Sequence, residues 1–266
     1  MSKSWCLVFF DFQDIRNGCF SSLFEEFFIF FSLLSQKKQR TDFQRTNTHI
    51  QYNSAIAVIC CMNIPFLRKG DRVALAAPAR KVSTDEMVHA IKMLESWGLT
   101  VVVPHGLYAE EGQLAGSDQH RAALLQELLD DHGIRAIFCC RGGYGTVRIV
   151  DLLDFSQFAQ YPKWIVGYSD ITVLHSHIHR ILDVPTLHAT MPINMQGEET
   201  PATRTMHDFL FGMKRDIVDY EWMPTALNRK GVAHAPVVGG NLSILYSLLG
   251  SHSQIDTCGK ILLIED

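Results

Sequence analysis

From Arg72 onward, short apolar runs alternate with stretches whose apolar residues recur at helical spacing. "RVALAAPA" reads as a strand, residues 84–97 as a helix, "TVVVP" as a strand, residues 118–131 as a helix and "RAIFCC" as a strand. "RGGYGTVRIVDLLD" then reads as a glycine turn into a helix, and "WIVG" as a strand followed by a helix through "ITVLHSHIHRIL". Further on, "RDIVDYEW" reads as a strand, "GGNLSILYSLLG" as a turn and helix, and "GKILLIED" as a last strand. Strands rich in Val, Ile and Ala that alternate with helices indicate βαβ units and a parallel sheet, so the fold class is α/β. The parallel pattern is interrupted between Met195 and Pro236, which suggests a hinge there. The expected organisation is a domain over 62–195, a linker or hinge over 196–235 and the start of an incomplete C-terminal α/β domain over 236–266.

The first 61 residues do not share this pattern. They carry most of the phenylalanines, as in "CLVFFDF" and "FEEFFIFFSLL", followed by the polar run "SQKKQRTDFQRTNTHIQYN". The apolar stretch "FFIFFSLL" is well short of the roughly 18 to 20 residues that span a bilayer, and Glu25 and Glu26 precede it. Acidic residues where a secretory signal needs basic ones argue against that reading too. Residues 1–61 are therefore expected to be an extension outside the fold, with Met62 as the natural start.

Composition narrows the picture a little. A 266-residue chain that is 47% hydrophobic can bury a substantial core. A formal charge of −4 gives no global reason to expect nucleic acid or an anionic membrane as partner. Seven cysteines, two pairs of them adjacent in sequence, suit reduced thiols in a cytoplasmic protein. His175 and His179 stand at i, i+4, but no HExxH arrangement accompanies them, so metal binding is a minor reading.

In open parallel sheets, ligands bind beyond the carboxyl ends of the strands. Three such ends carry unusual groups: Arg141-Gly142-Gly143-Tyr144-Gly145, Gly167-Tyr168-Ser169-Asp170, and Glu265-Asp266. Ser169, two residues after a glycine at a strand-to-helix joint, follows the logic of a nucleophile elbow. Ser and Asp are also favoured at helix N-termini, and Ile171 stands where the elbow pattern has glycine, so a simple helix cap is the competing reading. The glycines of "RGGYG" suit either an anion-binding or oxyanion-binding loop or a tight turn. Nucleotide binding would rest on these glycines alone.

The segments "KGDRVALAAPA", "LAGSDQHRAALLQELLDD", "IRAIFCCRGGYGTVRIVDLLD", "PKWIVGYSDITVLH", "TLHATMP", "GGNLSILYSLLGS" and "GKILLIED" occur here in a telling order. Together they resemble the LD-carboxypeptidase family of serine peptidases, which also includes the microcin C immunity proteases. The resemblance implies a nucleophile-bearing N-terminal α/β domain and a second domain that completes a triad. It implies cytoplasmic peptidoglycan recycling, with release of terminal D-alanine from murein tetrapeptides by cleavage of an L-to-D bond. By the same resemblance, Ser169 is the nucleophile and Glu265 the triad carboxylate. The oxyanion donors are the N–H of Asp170 and that of Gly142 or Gly143, and no metal or organic cofactor is needed. Arg141 and Tyr144 are candidate substrate contacts, and a homodimer is compatible with the family. In the family the triad histidine follows the glutamate, whereas this sequence stops at Asp266. Loss of that base costs on the order of 10⁶ in kcat, so the chain as given is expected to be inactive or nearly inactive and to uncover apolar surface around residues 237–264. The alternatives are a non-catalytic module that binds peptidoglycan fragments or acyl-peptides, and a microcin C immunity-type protease.

Overall fold

The structure, a computed structural model, describes residues 64–213, 228, 233 and 235–266. The expected extension over 1–61 and the expected strand "RDIVDYEW" lie outside the described residues. The remainder forms an α/β unit around a parallel sheet. Its strands are β1 (Arg72–Ala76), β2 (Thr100–Val102), β3 (Ile134–Cys139), β4 (Trp164–Gly167) and β5 (Leu187–His188), in the order β2-β1-β3-β4-β5. All four pairings are parallel. β1, β3 and β4 are almost wholly buried, which is why they read as continuous apolar runs rather than alternating ones.

The connecting helices are α1 (Thr84–Ser96), α2 (Asp118–Asp130), the short α3 (Ser156–Gln160) and α4 (Thr172–Leu182). α1 opens with a capping box: the Ser83 hydroxyl accepts from the Glu86 N–H while the Glu86 carboxylate accepts from the Ser83 N–H. α2 is closed at its other end by Lys163. This buried ammonium donates to the carbonyls of Leu128, Leu129 and Asp131 at 2.9, 2.9 and 2.7 Å, taking up acceptors that a helix C-terminus leaves unsatisfied.

Two segments differ from the sequence expectation. Residues after "RGGYG" form two 3-10 turns, Thr146–Arg148 and Val150–Leu152, rather than a helix. Thr146 is held by both its N–H and its hydroxyl to the Asp170 carboxylate, at 2.9 and 2.7 Å, and this anchor competes with regular helical continuation. Within the segment read as a linker, Pro201–Leu210 is a helix, α5. It starts at a Thr200/Thr203 box with Pro201 in the first turn and buries Thr203, Met206 and Leu210. Its C-terminal Leu210 carbonyl accepts from the Leu67 N–H at 2.8 Å, so it belongs to the packed core.

A second, two-stranded parallel sheet pairs β6 (Val237–Asn241) with β7 (Ile261–Glu265), and α6 (Leu242–Ser247) follows β6. "GGN", read as a turn, is the end of β6; Gly239 and Gly240 have φ of +141° and +139°, a backbone that side chains rarely adopt. Val237 and Tyr246 are largely exposed, and residues 261–264 are half-buried.

Candidate active site

The chain runs from β1 through α1 to β2 on one side, then returns to place β3 on the other side of β1. That reversal opens a crevice at the carboxyl ends of β1 and β3, where open α/β sheets bind ligands. A cleft of about 260 Å³ lies in this region, lined by Arg80, Arg141, Gly142, Gly143, Tyr168, Ser169, Met191, Ile193 and Asn194. Arg80 follows β1, the Arg141 loop follows β3 and Ser169 follows β4.

Ser169 has φ +60°, in the left-handed region. A non-glycine residue there costs roughly 1–2 kcal/mol, and such strain gathers where the surroundings impose it. Gly167 makes the turn fit, because a Cβ at that position would lie 2.9 Å from Ile171 Cγ1 and 3.2 Å from Cys139 Cβ. Neither the 3-10 turn Ser169–Ile171 nor α4 behind it is closed by a side-chain cap. The helix-cap reading of Ser169 therefore gives way to an elbow geometry.

Gly142 faces this elbow. A Cβ built there would stand 3.0 Å from Ser169 Cβ, 3.1 Å from its Oγ and 3.4 Å from the Asp170 nitrogen. The loop after β3 thus runs close beside both the hydroxyl and the next amide, with no room for a side chain between. Asp170 fastens the two: its fully buried carboxylate holds Thr146, four residues beyond Gly142, through Oδ2. Beneath the loop, the buried Arg121 guanidinium donates to the carbonyls of Pro78 and Gly145, joining the ends of β1 and β3.

Glu265 comes from 96 residues away to accept from the Ser169 N–H at 3.2 Å, and it is only 8% exposed. A relay of contacts brings it there. The Asn241 N–H donates to Thr172 Oγ1 at 2.9 Å, and Asn241 pairs with Glu265 in the β6–β7 register. Gly240 is required for that approach, since a Cβ there would sit 2.3 Å from Thr172 Oγ1. Two histidines of α4 pin the preceding loop: His177 Nδ1 to Ser253 Oγ and His179 Nε2 to Lys260 Nζ, both at 2.8 Å.

Among the described residues no histidine lines the cleft. His175 Nε2 lies 3.0 Å from the Gly167 carbonyl, which fixes the proton on Nε2. Burial, with His188 adding a smaller push, lowers its pKa to about 4; burial lowers His188 to about 4 as well. Both imidazoles are neutral at pH 7 and buttress the back of the elbow. His175 and His179, the i, i+4 pair, are thus engaged with a carbonyl and an ammonium.

The structure brings Ser169, Asp170, Gly142, Gly143, Arg141 and Glu265 together. Tyr144 does not join them: it is 54% exposed and lies outside the cleft lining, because the positive φ of its neighbours Gly143 and Gly145 turns the loop there. Arg141 lines the cleft but pairs with Glu86 at 3.2 Å. Sequence reasoning missed Arg80 and the 191–194 segment. Arg80 could have been found, since it stands just past the first apolar run, at the carboxyl end of a strand.

The sequence matches two family models, the LD-carboxypeptidase N-terminal domain over residues 73–189 and the LD-carboxypeptidase C-terminal domain over residues 234–266. The chain belongs to the LD-carboxypeptidase family. One relative, a probable murein peptide carboxypeptidase of Bacillus subtilis, is 39% identical over 75% of this chain and 63% of its own length. A murein tetrapeptide carboxypeptidase of Pseudomonas aeruginosa is 30% identical over 73% of this chain and 66% of its own length. The chain therefore spans slightly less than two thirds of these relatives. Among solved structures, an MccF-like protein from Bacillus anthracis superposes with a TM-score of 0.63 at 23% identity, over 76% of this chain and 68% of that one, a likeness of fold. The fold class expected from the sequence is the one observed. In this LD-carboxypeptidase-family chain, no helix among the described residues is long and apolar enough to cross a membrane.

Proposed function

We propose that this chain is the nucleophile-bearing part of a serine carboxypeptidase that releases terminal D-alanine from murein tetrapeptides by cutting an L-to-D peptide bond in peptidoglycan recycling. The observation that carries the reading is the left-handed Ser169 in the lining of the cleft, with Gly142 facing its hydroxyl and the Asp170 amide. The names of the two relatives, both carboxypeptidases of murein peptides, support the same substrate class.

In this reading the Ser169 hydroxyl attacks the carbonyl carbon that precedes the terminal D-alanine. Its proton passes to an imidazole base oriented by Glu265, a base that none of the described residues supplies at the cleft. The carbonyl oxygen becomes an oxyanion and accepts hydrogen bonds from the Asp170 N–H and from the N–H of Gly142 or Gly143, each contributing roughly 3–4 kcal/mol in the transition state. Collapse returns the proton to the departing amine, frees D-alanine and leaves an acyl group on Ser169. Water activated by the same base then releases the tripeptide. The elbow is suited to this cycle because Glu265 and the buried supports around it hold the Ser169 backbone in place before substrate arrives, so little backbone reorganisation is needed at the moment of attack.

The test is D-alanine release from murein tetrapeptide by the full-length protein and by its Ser169→Ala variant. Turnover that disappears with the hydroxyl supports the proposal. Tight peptide binding without turnover by the full-length protein would instead make the cleft a binding site for peptidoglycan fragments.

A further inference from the structure

A carboxypeptidase must tell a chain end from an internal residue, which requires a fixed positive or N–H donor group for the terminal carboxylate. Two arginines line the cleft, Arg80 and Arg141. They are not equivalent. Arg141 is already matched by Glu86 at 3.2 Å, and Glu86 is itself held by the Ser83 N–H at 2.8 Å as part of the α1 cap, so its carboxylate is fixed in place. Arg80 is exposed and has no carboxylate partner among the described residues.

Arg80 is also well anchored. Its backbone bridges Leu114 in antiparallel fashion, and its neighbours are bonded on both sides: Ala79 O accepts from Ala115 N–H and Lys81 N–H donates to Gln113 O, each at 3.1 Å. Its side chain lies across Gly143, where a Cβ would come within 2.6 Å of Arg80 Cδ and 2.8 Å of Nε. Consecutive glycines of one loop therefore face the two groups, since a side chain at Gly142 would meet the Ser169 hydroxyl and one at Gly143 the Arg80 stem. In a substrate, the scissile carbonyl carbon and the terminal carboxylate carbon are separated by a single residue, at most about 3.8 Å of extended chain. A carboxylate-binding group must thus stand one short step from the nucleophile along the cleft, and a guanidinium fork matches a carboxylate with two parallel hydrogen bonds.

We propose that Arg80 anchors the terminal carboxylate of the substrate and so makes the site an exopeptidase, while Glu86 keeps Arg141 from competing for that role. This rests on the carboxypeptidase reading of the cleft. It also assigns a purpose to Gly143, whose missing side chain is the space that the Arg80 stem occupies.

The experiment uses the full-length protein carrying Ser169→Ala, so that binding is measured without turnover, with murein tetrapeptide and its terminal carboxamide as the two probes in isothermal titration. The parent should prefer the free carboxylate by about 30- to 100-fold. Adding Arg80→Met should remove that preference by weakening only the carboxylate peptide, and Arg80→Lys should restore part of it, because an ammonium keeps the charge but not the fork. Arg141→Met should leave most of the preference in place. If the parent binds the tetrapeptide but Arg80→Met leaves its preference intact, or Arg141→Met abolishes it, the assignment to Arg80 is wrong while the functional reading stands. If neither peptide binds and the Ser169 protein releases no D-alanine, the functional reading itself fails and the Arg80 assignment falls with it.

Discussion

Gly142→Ala places one methyl group where the proposed oxyanion would form. The new carbon would stand 3.0 Å from Ser169 Cβ, 3.1 Å from Oγ and 3.4 Å from the Asp170 nitrogen. Carbon–oxygen contact is comfortable at about 3.4 Å or more, so either the hydroxyl or the loop must move by a few tenths of an ångström. Ser169 has little freedom to yield, because its backbone is already left-handed and its N–H is held by Glu265. The methyl also crowds the approach to the Asp170 N–H, so a forming oxyanion would lose at least one donor. Loss of one such donor costs roughly 3–4 kcal/mol, or 10²- to 10³-fold in kcat. KM should change little, since the lost bonds belong to the transition state. Gly142 is not in the left-handed region, so the fold should lose less than about 1 kcal/mol, a shift of about 2–4 °C in Tm. The assay is steady-state D-alanine release by the full-length protein, with labelling of Ser169 by a fluorophosphonate as a second readout and thermal unfolding as the control. A kcat within about threefold of the parent, with Tm unchanged, would mean that the Gly142–Ser169 approach has no catalytic role.

Three further outcomes follow from other parts of the structure. Lys163→Met leaves the carbonyls of Leu128, Leu129 and Asp131 without their donor and should destabilise the fold by about 2–4 kcal/mol in urea titrations, whereas a change under 0.5 kcal/mol would show that water replaces the ammonium there. Gly239→Ala combines a φ of +141° with a Cβ that would overlap the Leu263 carbonyl oxygen, so β6 should separate from β7; limited proteolysis should then cut near residues 237–264 in the variant and spare the parent. Acid should weaken the fold through His175 and His188, both held neutral with pKa near 4 mainly by burial, against about 6.5 when unfolded. The unfolded chain takes up these protons from about pH 7 downward and the folded chain only near pH 4. Stability is therefore retained above about pH 7, falls between 6.5 and 4 by on the order of 3 kcal/mol per histidine, and levels off below. A stability profile that is flat across that window in the parent, or equally steep in a His175→Gln/His188→Gln variant, would contradict the burial argument.

The layered α/β plan is legible in the local pattern of residues, because a strand buried on both faces must be largely apolar and the helices between must repeat at 3.6 residues. "RVALA", "IRAIFC" and "WIVG" declared themselves in this way. The sequence also placed Ser169 at a strand-to-helix joint and the "RGGYG" loop at a strand end. What it left open was whether Ser169 caps a helix or turns outward. Ser and Asp have the same local preferences in both cases, and the decision lies in the φ of +60° that Ser169 adopts in the folded chain, beside a Gly167 with no room for a side chain against Ile171 and Cys139. The two 3-10 turns after Gly145 were likewise invisible, since the periodicity there is helical and the Thr146–Asp170 bonds that override it join residues 24 apart. Glu265 reaches Ser169 through the Thr172–Asn241 contact, the β6–β7 register and the histidine contacts of α4, and it is Glu86, beside Arg141, that separates the two cleft arginines electrostatically. Local pattern reports what each segment must bury, whereas the site is made of contacts between segments far apart in the chain, and those exist only once the sheet has closed around them.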